Sequence, residues 1–194
     1  MENKIDTSLV TKALAFAAQA HDGQVRKGTD IPYIVHPMEA AAIAAGMTND
    51  QEVITAAVLH DTVEDTGASI ETIKDQFGSR VAELVSAESE NKREGEDPRF
   101  NWKLRKQETI DHLLSTADRD VKILALADKL SNLRAIYRDF CAIGDKLWKR
   151  FNQNDPAMIG WYYRSFKETC AELSDTTAYM EYVELLDKTF RKED

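Results

Sequence analysis

Apolar residues recur with the period of an α-helix along most of the chain, and this pattern limits the possible folds more than any other feature. In the first such stretch, five apolar positions share one helical face: Leu9, Ala13, Phe16, Ala17 and Ala20. The alternation of apolar and polar residues that marks a half-buried strand is not convincing in any segment. The sequence therefore predicts an all-α fold of roughly nine or ten helices, in a single domain over residues 1–194.

Two predicted helix starts bear on the functional residues. Pro37 suits the first position of a helix, which places His36 at the N-cap of that helix. Asp50 is a typical N-cap residue, and it precedes the apolar run from Val53 to Val63. We expect one continuous helix over about residues 51–65, and its apolar residues on nearly every side predict that it is buried.

The chain is acidic, with a formal net charge of −9. Such a chain is a poor general binder of nucleic acid or anionic membrane, so neither is expected as a partner. No apolar run approaches the roughly 18–20 residues that span a bilayer, and the polar start MENKIDTSLV lacks a signal-peptide core. Cys141 and Cys170 fit no metal spacing, so we expect free thiols in a cytoplasmic protein. No sequence feature indicates an oligomeric state.

Four polar residues share one side of the predicted 51–65 helix: His60, Asp61, Glu64 and Asp65. Three carboxylates beside an imidazole are costly to desolvate in an apolar setting. A bound divalent cation offsets that cost directly. The alternative is a helix C-terminus whose last acids are simply solvated, but His60 and Asp61 lie deeper in the apolar run and favour the cation.

Two further residues are candidates for the same cation. Asp128 interrupts the apolar segments VKILALA and LSNL of another buried helix, where it could instead pair with Lys129 or Arg134. Asn132 lies one turn later, on the face of Asp128. His36, between a Pro-rich turn and a helix start, could be a simple cap or surface residue. Together, two histidines and two carboxylates make a mixed nitrogen and oxygen site that suits Mn, Fe or Zn.

The motifs PYIVHP, VLHDTVEDT and ALADKLSNLR occur in this order, the first within the longer segment AHDGQVRKGTDIPYIVHP. Together they resemble the HD-domain hydrolases of the RelA/SpoT alarmone family over roughly residues 10–140. The resemblance implies an HD-type helical bundle around one divalent ion, commonly Mn²⁺, in a stand-alone small hydrolase without a synthetase domain. It also implies a nucleotide substrate, with removal of the 3′-diphosphate from guanosine tetra- or pentaphosphate.

The same resemblance implies roles for individual residues. The family's metal ligands are matched by His36, His60, Asp61 and Asp128. The paired acids that act on the attacking water are matched by Glu64 and Asp65. Positions that contact the nucleotide are matched by Arg26, Lys27 and Asn132.

Two basic residues outside these motifs are further candidates for contacts with the substrate. Lys103 could bind a phosphate, or it could belong to a solvated helix face. Arg164 follows three aromatic residues that could form one wall of a nucleotide pocket, although a plain core stripe explains those aromatics equally well. His21 and His112 have no assigned role, and a surface or capping position is favoured for both.

Four functions compete at this point. The first is a (p)ppGpp 3′-pyrophosphohydrolase, and the second is a phosphatase that acts on NADPH, an adenosine alarmone or a simple nucleotide. The third is a nucleotide sensor without catalysis, which the presence of all six metal and acid residues disfavours. The fourth is a purely structural helical protein, which leaves Asp61 and Asp128 unexplained in apolar helices.

Overall fold

A computed structural model describes residues 7–89, 93, 95 and 97–190. Within these residues the regular elements are helices, and the only other pairing is an isolated bridge between Val25 and Pro32. The chain divides into two compact units, Met1–Ser89 and Glu90–Asp194. The all-α fold predicted from the apolar period is therefore confirmed.

Over its described residues 7–89, the first unit contains six helices: α1 (Ser8–Ala20), α2 (Val35–Ala45), α3 (Gln51–Leu59), α4 (Thr62–Asp65), α5 (Ile70–Phe77) and α6 (Ser79–Glu88). Its central helix is α3, which packs against α1, α2 and α6. The Asp50 carboxylate caps α3 by accepting a hydrogen bond from the Glu52 N–H at 2.8 Å, as its residue type predicts. The predicted burial of this helix is confirmed, because Val53 and Leu59, near its two ends, are both fully buried.

The predicted continuous helix over residues 51–65 is wrong, because α3 ends at Leu59 and the chain turns at His60 and Asp61 before α4 begins. Two side chains compete for the carbonyls that would continue the helix. His60 Nδ1 lies 2.9 Å from the Ala57 carbonyl oxygen, and the Thr62 hydroxyl donates to the Leu59 carbonyl at 2.6 Å. Such local side-chain hydrogen bonds replace helical backbone hydrogen bonds, so the helix breaks at His60 and Asp61.

The predicted N-cap position of His36 is also wrong. Helix α2 begins at Val35, so His36 is its second residue and Pro37 its third. A turn precedes the helix, in which the Val35 and His36 N–H groups donate to the carbonyls of Pro32 and Tyr33. Proline is tolerated at this position because first-turn N–H groups have no partner within the helix.

In the part of the second unit that the structure describes there are four α-helices: α7 (Pro98–Ser115), α8 (Arg119–Ile143), α9 (Pro156–Thr169) and α10 (Thr177–Thr189). Two short 3₁₀ helices, Gly144–Arg150 and Ala171–Leu173, flank α9. Helix α8 packs against α10, and α7 packs against α9. None of the described helices of either unit combines the length and apolar character needed to cross a bilayer.

Gly160 of α9 lies in a close contact that predicts a stability effect. A Cβ at this position would come within 2.9 Å of Arg164 Nη2 and 3.0 Å of the Phe190 ring. We expect Gly160→Ala to lower the free energy of unfolding by about 1–2 kcal/mol, because overpacking outweighs the usual helical gain from alanine. Urea denaturation measures the change. Gly67→Ala, with no atom within 4 Å of the added Cβ, is the control, and equal stability of both variants would contradict the prediction.

Candidate metal centre

Three polar side chains of the first unit bring one ligand atom each to a common point. His36 Nε2 and His60 Nε2 are 3.2 Å apart. The Asp61 Oδ2 atom lies 3.4 Å from His36 Nε2 and 3.1 Å from His60 Nε2. Both histidines are 3% exposed, whereas the Asp61 side chain is 17% exposed. The three atoms therefore form a compact triangle with its most accessible corner at Asp61.

The dimensions of this triangle suit a single divalent cation. Ligand atoms about 2.1 Å from one metal in tetrahedral or octahedral geometry lie about 3.0–3.4 Å from each other. The three observed separations fall in this range. Two nitrogens and one carboxylate oxygen also make the mixed donor set that Mn, Fe or Zn accepts. The residues present therefore fit a divalent metal.

The backbone fixes the tautomer of His60 in a form that can bind a metal. Its Nδ1 lies 2.9 Å from the Ala57 carbonyl oxygen, which can only accept a hydrogen bond. Nδ1 must therefore carry the proton, and Nε2 of the neutral ring keeps its lone pair. Metal-binding histidines commonly have this arrangement, in which a second partner orients the ring. The break after α3 thus contributes directly to the orientation of a candidate metal ligand.

The two predicted catalytic acids, Glu64 and Asp65, lie in α4, which follows His60 and Asp61. Asp65 is exposed and Glu64 is half-buried. The Asp65 Oδ2 atom is 3.1 Å from the Tyr33 hydroxyl, and the same hydroxyl lies 2.6 Å from Asp61 Oδ2. Asp65 therefore has access to solvent and is connected to Asp61 through one side chain.

The predictions from sequence missed Tyr33, and they were right for His21 only in part. Tyr33 comes three residues before His36, and this spacing next to a ligand candidate was the available signal. Of the two positions favoured for His21, the capping position is confirmed, because His21 is the C-cap residue of α1. The surface position is wrong, because the residue is only 3% exposed and its ring packs 4.8 Å from the Tyr33 ring. His112 is exposed, as expected.

In the second unit, Asp128 lies in the buried part of α8 and is 5% exposed. Asn132 Nδ2 donates to Asp128 Oδ1 at 2.6 Å, and the Lys129 ammonium contacts Oδ2. The predicted shared face of Asp128 and Asn132 is confirmed. Arg134, the other candidate partner, instead forms a bidentate pair with Glu181 at 2.6 and 2.7 Å. The metal role of Asp128 stays a prediction.

The loop before α2 carries two of the predicted substrate-binding residues. Its backbone is fixed by hydrogen bonds from the Arg26 N–H to the Ile31 carbonyl at 2.8 Å and from the Tyr33 N–H to the Gln24 carbonyl at 2.9 Å. The Arg26 guanidinium lies 5.5 Å from the centre of the Tyr33 ring. Lys27 is exposed. Arg26 therefore lies over the ring of Tyr33, the residue whose hydroxyl contacts Asp61 and Asp65.

The remaining two candidates lie in the second unit. Lys103 Nζ is 5.7 Å from the centre of the Trp161 ring, and its side chain is exposed. Arg164 donates from Nη1 to the Phe190 carbonyl at 3.0 Å, so it contacts the C-terminal end of α10. Both substrate roles stay predictions.

The fold and this donor set agree with the family to which the chain belongs. A family model described as an HD domain matches residues 13–145, which is more than half of the chain. The chain is therefore a member of the HD-domain family, and the predicted HD-type fold class is confirmed.

Two curated relatives show which members of the HD-domain family this chain is similar to. The chain is 38% identical over 130 residues to a guanosine-3′,5′-bis(diphosphate) 3′-pyrophosphohydrolase of Aquifex aeolicus. It is 32% identical over 133 residues to a GTP pyrophosphokinase of Myxococcus xanthus. These alignments cover 66% and 68% of this chain but only 18% and 17% of the two relatives. The chain thus spans less than a fifth of the length of these curated relatives.

Two solved structures match over almost their whole length. The protein lmo0812 of Listeria monocytogenes EGD-e has a TM-score of 0.70 and 30% identity, with 83% of this chain and 97% of that chain covered. A metazoan ortholog of SpoT, described as hydrolysing ppGpp, has a TM-score of 0.74 and 25% identity, with 95% and 97% covered. The resemblance to the RelA/SpoT-type HD hydrolases is confirmed by these relatives.

Proposed function

We propose that this chain is a metal-dependent phosphohydrolase that removes pyrophosphate from the 3′ position of guanosine 3′,5′-bis(diphosphate). The observation that carries the proposal is the triangle of His36, His60 and Asp61 ligand atoms beside the exposed carboxylate of Asp65. The names of the Aquifex relative and of the metazoan SpoT ortholog support the choice of substrate.

We further propose that Asp128 is the fourth ligand and that the metal is Mn²⁺. The burial of the Asp128 carboxylate in α8 supports this role, and so does the family match over residues 13–145, which contains all four ligand candidates. When bound, a divalent metal of this kind supplies a Lewis acid for phosphoryl oxygens and makes water easier to deprotonate. Other divalent metals suit the same donor set, so metal identity is a separate measurement.

In the proposed reaction, water attacks the phosphorus atom bonded to the ribose 3′ oxygen. The bond between this phosphorus and the 3′ oxygen breaks, and the 3′ oxygen takes up a proton to become a hydroxyl. The products are pyrophosphate and GDP. Glu64 and Asp65 orient this water, and one of them accepts its proton. We assign the proton to Asp65 because its carboxylate is exposed and shares the Tyr33 hydroxyl with Asp61.

The charge of the substrate requires cationic side chains, since a chain with a net charge of −9 repels a polyphosphate. Arg26 is the best-supported candidate for this role, because its guanidinium lies over the ring of Tyr33, whose hydroxyl contacts Asp61 and Asp65. An arginine placed in this way can bind a phosphate or stack on a base. The remaining proposed substrate contacts are Lys27, Lys103, Asn132 and Arg164.

The nature of the product tests the proposal and separates it from the second candidate function. With Mn²⁺ present, we expect pyrophosphate from guanosine 3′,5′-bis(diphosphate), and EDTA should stop its release. NADPH, a 3′-diphosphorylated adenosine nucleotide and simple nucleoside phosphates are assayed in parallel for both pyrophosphate and orthophosphate. Orthophosphate from NADPH, without pyrophosphate from the guanosine substrate at the same enzyme concentration, would contradict the proposed substrate. Tight nucleotide binding without any product would instead favour the sensor function.

We also propose that the protein acts in the cytoplasm and does not bind nucleic acid. Its two cysteines, exposed Cys141 and buried Cys170, are both free thiols, which favours a reducing compartment. The negative net charge opposes binding to a phosphate backbone.

A further inference from the structure

Tyr33 holds one hydroxyl between two carboxylates that have different proposed roles. Its oxygen lies 2.6 Å from Asp61 Oδ2 and 3.1 Å from Asp65 Oδ2. The Asp61 oxygen is the same atom that lies close to Nε2 of His36 and His60. A tyrosine hydroxyl has only one proton to donate, so its two contacts are not independent of each other. The geometry of the ligand oxygen and that of the acid are therefore linked.

The Tyr33 ring is fixed by its neighbours on several sides. The buried His21 ring lies 4.8 Å away, the His36 ring packs edge-on at 5.9 Å, and the Arg26 guanidinium lies 5.5 Å from the ring centre. The Tyr33 N–H also donates to the Gln24 carbonyl at 2.9 Å. A side chain held in this way can impose a position on its hydrogen-bond partners, because its own rotamer is fixed by packing.

The same loop also holds Asp65 through its backbone. Gln24 Nε2 donates to the Asp65 carbonyl at 2.8 Å, and Gln24 Oε1 lies 2.8 Å from His21 Nδ1. Because the Gln24 amide nitrogen donates to Asp65, its oxygen accepts from His21. Asp65 is thus connected to the loop twice, once by its carboxylate and once by its carbonyl, and both connections lead to residues that pack against His21.

We propose that Tyr33 is a positioning residue, whose hydroxyl fixes the ligand oxygen of Asp61 and the carboxylate of Asp65 relative to each other. The inference rests on the proposed function, and it assigns a role to a side chain outside the ligand and acid set. Hydrogen bonds to ligating carboxylates commonly orient them, and loss of such a partner costs about 10–100-fold in metal affinity or activity. A merely structural tyrosine would affect folding stability instead.

Tyr33→Phe tests the proposal because it removes the hydroxyl and keeps the ring. At saturating Mn²⁺ we expect kcat to fall about 10–100-fold while KM changes less than about threefold. The Kd for Mn²⁺, measured by calorimetry on metal-free protein, should rise about 10-fold. Tyr179→Phe is the matched control, because it removes a hydroxyl that donates to the Lys167 carbonyl in the second unit. The two variants should have similar melting temperatures, and the control should keep wild-type kcat and Kd.

A double-mutant cycle with Asp65→Asn separates a positioning role from a structural one. If Tyr33 acts on catalysis through Asp65, Tyr33→Phe changes kcat by less than about twofold in the Asp65→Asn background. The increase in the Kd for Mn²⁺ should persist there, because Asp61 is unchanged. A full additive loss of kcat would overturn the proposal, and so would wild-type Kd and kcat in the single variant. If the wild type binds Mn²⁺ but hydrolyses no nucleotide, the proposed function is wrong. The Kd for Mn²⁺ of Tyr33→Phe, compared with that of the wild type, then tests by itself whether Tyr33 positions Asp61.

Discussion

His60→Ala is expected to abolish measurable Mn²⁺ binding and to lower kcat/KM by more than about 100-fold. Removing even a hydrogen-bond partner of a metal ligand lowers metal affinity or activity by about 10–100-fold, so the loss of a ligand itself should have a larger effect. The His60 Nε2 atom lies within 3.2 Å of the two other ligand atoms of the first unit, so its loss opens the triangle. Calorimetry on metal-free protein measures binding, and pyrophosphate release measures activity. Thermal unfolding gives a third measure, since a ligand at 100 times its Kd stabilises the folded state by about 2.7 kcal/mol.

His112→Ala is the matched control for this substitution. His112 is an exposed histidine of α7, so its replacement should leave Mn²⁺ affinity, kcat and the metal-induced stabilisation unchanged. Wild-type Mn²⁺ affinity in His60→Ala would show that the triangle is not a metal site. The proposed mechanism would then lose its basis, whatever phosphatase activity remained.

Asp128→Asn tests whether Asp128 is a metal ligand in addition to the three candidates of the first unit. The substitution keeps the shape of a side chain that contacts Asn132 and Lys129, but it removes the negative charge. We expect weaker Mn²⁺ binding, together with a fall in kcat/KM. Asp139→Asn, on the same helix but paired with Arg150, should bind Mn²⁺ normally. Unchanged affinity in Asp128→Asn would limit the ligand set to His36, His60 and Asp61.

The helix starts could be predicted from sequence where the determining chemistry is local. The predicted cap Asp50 is an example, because its carboxylate accepts a hydrogen bond from the Glu52 N–H group at the start of α3. The break after Leu59 could not be predicted from the apolar period, because the period describes burial only. It depends on the hydrogen bonds of His60 and Thr62 to carbonyls within three residues.

The candidate site could be predicted in part. The combination of motifs predicts that His36 and His60 bind the same metal, and the structure places their Nε2 atoms 3.2 Å apart. Tyr33 lies within the motif PYIVHP, so its spacing from His36 was a signal, but its contact with Asp65 depends on the path of the loop before α2. Gln24 had no such signal, and its contact with the Asp65 carbonyl depends on the same path. That path is set by hydrogen bonds such as Arg26 N–H to the Ile31 carbonyl, which no residue pattern specifies.

Asp65→Asn is expected to lower kcat by about 10²–10⁴-fold, which is the usual contribution of a positioned general base. Asparagine has nearly the same shape, and its amide oxygen can still accept a hydrogen bond from Tyr33. It cannot accept a proton from water. Since Asp65 is outside the triangle of ligand atoms, the Kd for Mn²⁺ should stay within about threefold of wild type. Asp75→Asn, at an exposed acid of α5, is the control and should keep full activity.

The comparison with Glu64→Gln decides which acid takes the proton. Glu64 is half-buried and Asp65 is exposed, so attacking water from solvent reaches Asp65 more directly. We therefore expect the larger fall in kcat for Asp65→Asn and a smaller one for Glu64→Gln, with metal affinity preserved in both. The reverse order would assign the proton to Glu64. Loss of Mn²⁺ binding in Asp65→Asn would instead make Asp65 a ligand, and the separation of ligands from acids would be wrong.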